Sequence, residues 1–160
     1  MKVSIPDVPT KVYSSILIAN YLRAVAHTRG RILNVTKVQK LLYILYGTML
    51  SRYNRVMCFE SPRAWPYGPV FPMTRKHVDF HSFPPSVDAD IFSEINQDDQ
   101  LIKWANHVVD KYEHYSASQL SNWSHKDGGP WDKVVNQEKC PWDTIIPDVT
   151  IKEYFSCFNV

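Results

Sequence analysis

The chain has 160 residues, 44% hydrophobic and 21% charged, which suits one folded domain with a sizeable core. Eighteen basic residues against sixteen acidic ones leave a formal charge of +2, a balance that argues against a nucleic-acid grip made mainly through phosphates. No apolar run reaches the roughly 18 residues of a membrane span, the start MKVSIPDVPTKVY lacks the apolar stretch of a secretion signal, and Cys58, Cys140 and Cys157 are spaced for neither a disulfide framework nor a zinc site; the expectation is a soluble, cytoplasmic protein with reduced thiols.

Residues 1–10 contain Pro6 and Pro9 and read as an extended lead-in. From Lys11 to about His27, Ile16, Ala19, Leu22 and Val25 recur at the helical period, and Gly30 breaks the pattern. Thr36 and Gln39 have the spacing of a capping box, opening a second helix that runs to about Tyr53. Its apolar stripe is Val38, Leu41, Leu42, Leu45 and Met49, with Lys37 and Lys40 off it. Residues 56–60, VMCFE, read as extended, and AWPYGPVFP follows at 64–72; strand structure is expected only as a short β-hairpin near residues 56–71. Pro72 suits the first turn of a short helix through Arg75, Val78 and Phe80.

HSFPPSVD, residues 81–88, reads as a loop, and residues 89–95 as a short helix. Asp98 is a good N-cap for a long helix that turns Leu101, Trp104, Ala105, Val108 and Tyr112 inward. Ser116 with Gln119 is a second capping box, HKDGGP a break, and Pro130 the start of another short helix, WDKVVNQ. Residues 139–149 read as irregular, and a last helix over 149–158 carries Ile151, Tyr154, Phe155 and Phe158. The fold class predicted is mainly α, a single compact helical domain over residues 1–160.

Little in the sequence points to catalysis. His77 and His81 are four apart, but no Glu follows His77 and two prolines follow His81, which argues against a metal pair. His125 stands near Asp127 with serines around it, yet no GxSxG elbow is present, and SHKDGG reads as a helix end and turn. None of the five glycines forms a phosphate-binding loop. No metal, no cofactor and no catalytic residue is expected.

AWPYGPVFP is the unusual stretch. Pro66, Pro69 and Pro72 preset the backbone and withhold three amide donors, and Gly68 permits a tight turn or a close backbone approach. A rigid aromatic surface loses little entropy on binding, so one reading is a partner-binding loop; the other is a buried plug that locks two helices together.

Taken together, LIANYLR, TKVQKLLYILYG at 36–47, AWPYGPVFP, YEHYSASQLSNWSHKDGGPW at 112–131 and the closing IKEYF resemble the Panacea antitoxin domain family of SocA-like and phage-associated GepA-like proteins, over about residues 13–156. The signature falls on Trp65, Tyr67, Gly68, Pro69, Val70 and Pro72; on Val38, Gln39, Lys40, Leu41, Leu42 and Tyr43; and on His125, Pro130 and Trp131. Pro66 and Arg75 depart from it, standing where a polar residue and an aromatic are commoner. The resemblance implies a prokaryotic, helical, non-enzymatic antitoxin that neutralises a cognate protein toxin, such as a translation-inhibiting enzyme, by direct binding; the alternative it carries is a proteolytic adaptor that delivers its partner to a protease. No stretch of these residues is expected to form an added DNA-binding domain. It also shifts the reading of AWPYGPVFP towards scaffold, with Trp65 and Tyr67 bracing the fold. The candidate partner-binding residues are Arg63, Trp65, Tyr67, Arg75 and His77.

Overall fold

The computed structural model describes residues 11–160, so the lead-in expected at residues 1–10 lies outside the described residues. Among these the order is α1 (Ser15–Thr28), α2 (Val35–Tyr53), a hairpin of β1 (Arg63–Trp65) and β2 (Gly68–Val70), α3 (Pro72–His77), two 3-10 turns (Asp90–Phe92 and Ile95–Gln97), α4 (Asp99–Tyr112), α5 (Ala117–Ser124), α6 (Pro130–Asp132) and α7 (Asp148–Cys157). α6 runs on into a π-helical turn, Lys133–Gln137. The chain is mainly α, as the helical periodicity predicts, and its two-stranded sheet is the antiparallel hairpin. No described helix is long and apolar enough to cross a membrane.

α2 is the central element, with α1, α4, α5 and α7 packed around it. Every residue from Val38 to Leu50 is buried, so α2 is enclosed on all sides rather than along the single stripe its periodicity suggests. Lys40, expected off the stripe, is 1% exposed, and Gln39 and Thr48 are buried with it. The start of the helix also differs from expectation. Asn34 is the N-cap and its side chain accepts from the Lys37 amide at 2.9 Å, so the helix opens ahead of Thr36 and Gln39 is freed for another partner. At the far end Asn54, with φ 50°, closes the helix in the left-handed region that asparagine tolerates.

The tightest packing on α2 is at Gly47. A Cβ there would lie 2.1 Å from Phe155 Cδ2, so α7 seats its aromatic ring directly on the α2 backbone. Phe155 then meets Tyr43 edge-on, with ring centroids 5.4 Å apart.

A second joint ties the end of α2 to the start of α4. Arg55 holds Asp98 through two nearly buried bonds, Nη1–Oδ1 at 3.0 Å and Nη2–Oδ2 at 2.6 Å. The same carboxylate caps α4 through the Leu101 amide and accepts from the Tyr13 hydroxyl. Burial alone pushes the Asp98 carboxyl up, but the hydrogen bonds from Arg55, Leu101 and Tyr13 more than offset it, and its pKa lies below the ordinary value. The expected caps at Asp98 and at Ser116–Gln119 both form. The helix expected at 89–95 is instead the pair of 3-10 turns, which bury Phe92 and Ile95, three residues apart.

Gly47→Ala should destabilise the protein by roughly 1–3 kcal/mol, because the Phe155 ring must move off α2. Chemical denaturation checks it, and shortening the opposing side chain with Phe155→Leu should recover part of the loss in the double variant.

Candidate functional site

β1 and β2 pair Arg63 with Val70, Ala64 with Pro69 and Trp65 with Gly68, leaving Pro66 and Tyr67 as the turn. Neither turn residue has a positive φ; that conformation falls on Gly68, at +113°. Three prolines cannot donate, so the segment's carbonyls must find partners elsewhere. Side chains from distant elements supply them. Trp131 Nε1 donates to the Trp65 carbonyl at 2.8 Å, and His125 Nε2 meets the Pro66 carbonyl at 3.0 Å. Lys40 Nζ donates to the Pro69 carbonyl at 3.2 Å. Gln39 bonds Phe71 twice, donating to its carbonyl at 3.2 Å and accepting from its amide at 2.8 Å.

The other edge of β1 is occupied too. The Ala64 amide donates to the Thr144 carbonyl, the Asp143 amide donates to the Ala64 carbonyl, and the Ile146 amide donates to the Pro62 carbonyl.

The structure therefore brings Gln39, Lys40, His125 and Trp131 together around one hairpin. Pro130 stands in the first turn of α6 and places Trp131; Pro72 does the same for α3. Leu41, Tyr43 and Val70 are core residues, and Pro69 is buried. Gly68 is required by space as well as by backbone: a Cβ there would lie 2.5 Å from Ser124 Oγ and 3.0 Å from Lys40 Nζ.

Lys40 has unusual protonation chemistry. Lys40 makes no ion pair with any described carboxylate, and burial pushes its ammonium down to about 8. His125 faces carbonyl oxygens with both ring nitrogens, Ser121 at Nδ1 (2.6 Å) and Pro66 at Nε2 (3.0 Å). Trp131 packs edge-on against it, with centroids 4.1 Å apart. His125 is thus engaged with backbone rather than with Asp127.

The partner-binding candidates divide into two groups. Arg63 and Trp65 lie on one face of β1 and share an acceptor: Arg63 Nη1 donates to the Asp143 carbonyl at 2.9 Å and Trp65 Nε1 donates to Asp143 Oδ1 at 2.9 Å. Trp65 is half-buried in this role. Tyr67 does not brace the fold as expected; at the turn tip it is 79% exposed. Arg75 and His77 are exposed on α3, and among the described residues no hydrogen bond or ion pair joins them to the hairpin group. The sequence reading missed Asp143, Trp142 and Ile145, in a stretch taken as irregular. Asp143 has φ 72°, Ile145 bridges Arg63, and the half-exposed Trp142 lies against Trp131 with centroids 6.3 Å apart. A tryptophan and an aspartate capable of left-handed backbone, just after Pro141, were the available signals.

The arrangement is a hairpin held by distant side chains, with Trp65, Tyr67 and Trp142 half or largely accessible and Arg63 and Ile145 beside them. It offers contact area and hydrogen bonding.

The sequence model of the antitoxin SocA-like, Panacea domain family matches residues 38–132. That span is narrower than residues 13–156, but it contains the signature residues from Gln39 to Trp131. Antitoxin SocA of Caulobacter vibrioides (strain NA1000 / CB15N) is 29% identical over 109 residues, covering 62% of this chain. The chain spans 58% of that relative's length. No solved structure matches.

Lys40 predicts a particular pH dependence of stability. Its pKa falls from 10.5 to about 8 on folding, so between these values the unfolded chain binds more protons and wild-type stability rises with pH. In denaturation series the stability of wild type relative to Lys40→Met should therefore grow by up to about 3 kcal/mol from pH 8 to 10.5; a constant difference would contradict it. His125→Ala should cost roughly 1 kcal/mol by removing its hydrogen bonding to the Ser121 and Pro66 carbonyls, whereas Tyr67→Ala should leave the melting temperature essentially unchanged.

Proposed function

We propose an antitoxin function from one premise: the chain belongs to the antitoxin SocA-like, Panacea domain family. In this reading the protein binds one cognate protein toxin directly, holds it inactive, and performs no reaction itself. The setting is the cytoplasm, in keeping with three free cysteines. The observation that carries the reading is the pairing of a preformed backbone network with an exposed aromatic face. Tyr67, Trp65, Trp142 and Arg63 are the residue types that dominate protein–protein binding energy. The hairpin backbone that carries Arg63, Trp65 and Tyr67 is held by bonds from α2, α6 and the end of α5, so little ordering entropy opposes association. Engagement of both His125 nitrogens with carbonyls supports a structural rather than a catalytic role for that residue.

Co-expression with the product of the adjacent gene tests the proposal. Relief of growth arrest together with co-purification of the two chains is the expected result. Tyr67→Ala and Trp142→Ala, with unchanged melting temperatures, should each weaken the complex by about tenfold or more. Persistent toxicity without a complex would overturn the reading for that pair. Protease-dependent disappearance of the toxin, without lasting inhibition in a protease-deficient host, would instead identify an adaptor.

A further inference from the structure

A cavity of about 230 Å³ opens between the end of α1, the turn after it and residues 80–84. Its titratable lining is all basic: Arg23, His27, Arg31 and His81. Phe80 and Leu33 add apolar walls, and Ile32 and Phe83, 72% and 71% exposed, lie beside them. The last carbonyls of α1 are already taken. That of Val25 accepts from the Thr28 hydroxyl and Arg29, that of Ala26 from the Arg29 and Arg31 amides, and that of His27 from the Gly30 amide.

Arg23 is the unusual member. It is 7% exposed, yet among the described residues no carboxylate comes within ion-pair distance of it. Nη1 donates to Asn20 Oδ1 and Nη2 to the Ser82 carbonyl, and Cζ lies 5.2 Å from the Phe80 ring centroid. Burial weakens its hold on the proton, which Asp79 opposes from farther off while its own oxygens accept from the His81 amide and the Ser82 hydroxyl. Arg23 Nε has no partner among the described residues. The unpartnered side-chain atoms that are sealed from solvent belong to Arg55, Thr74, Tyr112 and Trp123, so Arg23 Nε keeps open surface in a residue that lines the cavity. A buried cation is costly unless paired, and the cavity is where a counter-ion can reach this one.

Arg31 adds a second guanidinium; it meets Glu113 through Nε at 3.4 Å and its side chain is 60% exposed. Guanidinium and imidazole groups together present more donors than a carboxylate's two oxygens use, and suit the three oxygens of a phosphate better. The volume is below the roughly 300–1,000 Å³ of drug-sized sites and above the roughly 150 Å³ that holds benzene, room for one ring and one charged group. We propose that this cavity binds a small organic phosphate monoester, about the size of phenyl phosphate, with its oxygens on Arg23 and Arg31 and its apolar group against Phe80 and Phe83. No hairpin residue lines the site, and the proposal does not depend on the antitoxin reading.

Titration with phenyl phosphate, followed through the Arg23 Nε–H signal in proton–nitrogen spectra, tests it. The expected result is a saturable shift of that signal and of the amides at residues 81–83, with a Kd of about 1 mM or tighter. Inorganic phosphate, lacking the ring, and benzoate, with its single charge, should each bind about tenfold more weakly, and benzyl alcohol should not bind. Arg23 also ties Ser82 to α1, so the variant is made at the exposed Arg31. Arg31→Gln should stay folded and lose about tenfold in phenyl phosphate affinity. No saturable shift by about 10 mM, shifts confined to other parts of the protein, equal affinity for inorganic phosphate or benzoate, or undiminished binding by Arg31→Gln would overturn the proposal.

Discussion

The hydrogen bonds that side chains make to the backbone of the proline-rich hairpin are the constraint on which the rest of the structure depends. Prolines at 66, 69 and 72 leave the segment rich in acceptors and poor in donors. An unpartnered buried carbonyl costs on the order of 1–3 kcal/mol, so several stranded together would consume a large share of a domain's stability. Gln39 and Lys40 answer this from α2, His125 and Trp131 from the region of α5 and α6. These elements must therefore stand at fixed distances from the hairpin. The same demand accounts for polar residues in a helix that is otherwise wholly buried.

The division between support and surface follows from strand geometry. Ala64 faces the interior, while Arg63 and Trp65 face outwards. Trp65 serves both sides: its carbonyl receives Trp131, its indole reaches Asp143, and part of its ring stays accessible. Tyr67 contributes area without structural duty. Signature residues thus fall mostly on the support, and Trp142 and Ile145 are accessible beside them.

Much of the helical frame was legible. Caps at Asp98 and Ser116 announce themselves through local side-chain chemistry, and the stripe of α4 matches its buried face. Lys40 was not legible, because a charged residue off an apolar stripe normally faces water; here the hairpin covers that side of α2. Thr36 and Gln39 have the spacing of a cap, but Asn34 competes from two residues earlier and wins. Asp143 could not be placed from sequence, since its partners Arg63 and Trp65 lie about 80 positions away.

Those separations also set an order of assembly. The contact from His125 to Pro66 spans 59 positions, that from Trp131 to Trp65 spans 66, and that from Asp143 to Trp65 spans 78. During synthesis the hairpin leaves the ribosome with α2 already made but with its later partners untranslated. At about 5–20 residues per second that interval lasts several seconds. Long-range closures of this kind slow folding, so Gln39 and Lys40 of α2 are available to the Phe71 and Pro69 carbonyls before His125, Trp131 and Asp143 can meet those of Pro66, Trp65 and Ala64. The proline-rich segment that braces the finished protein is thus also a part whose completion waits on the chain behind it.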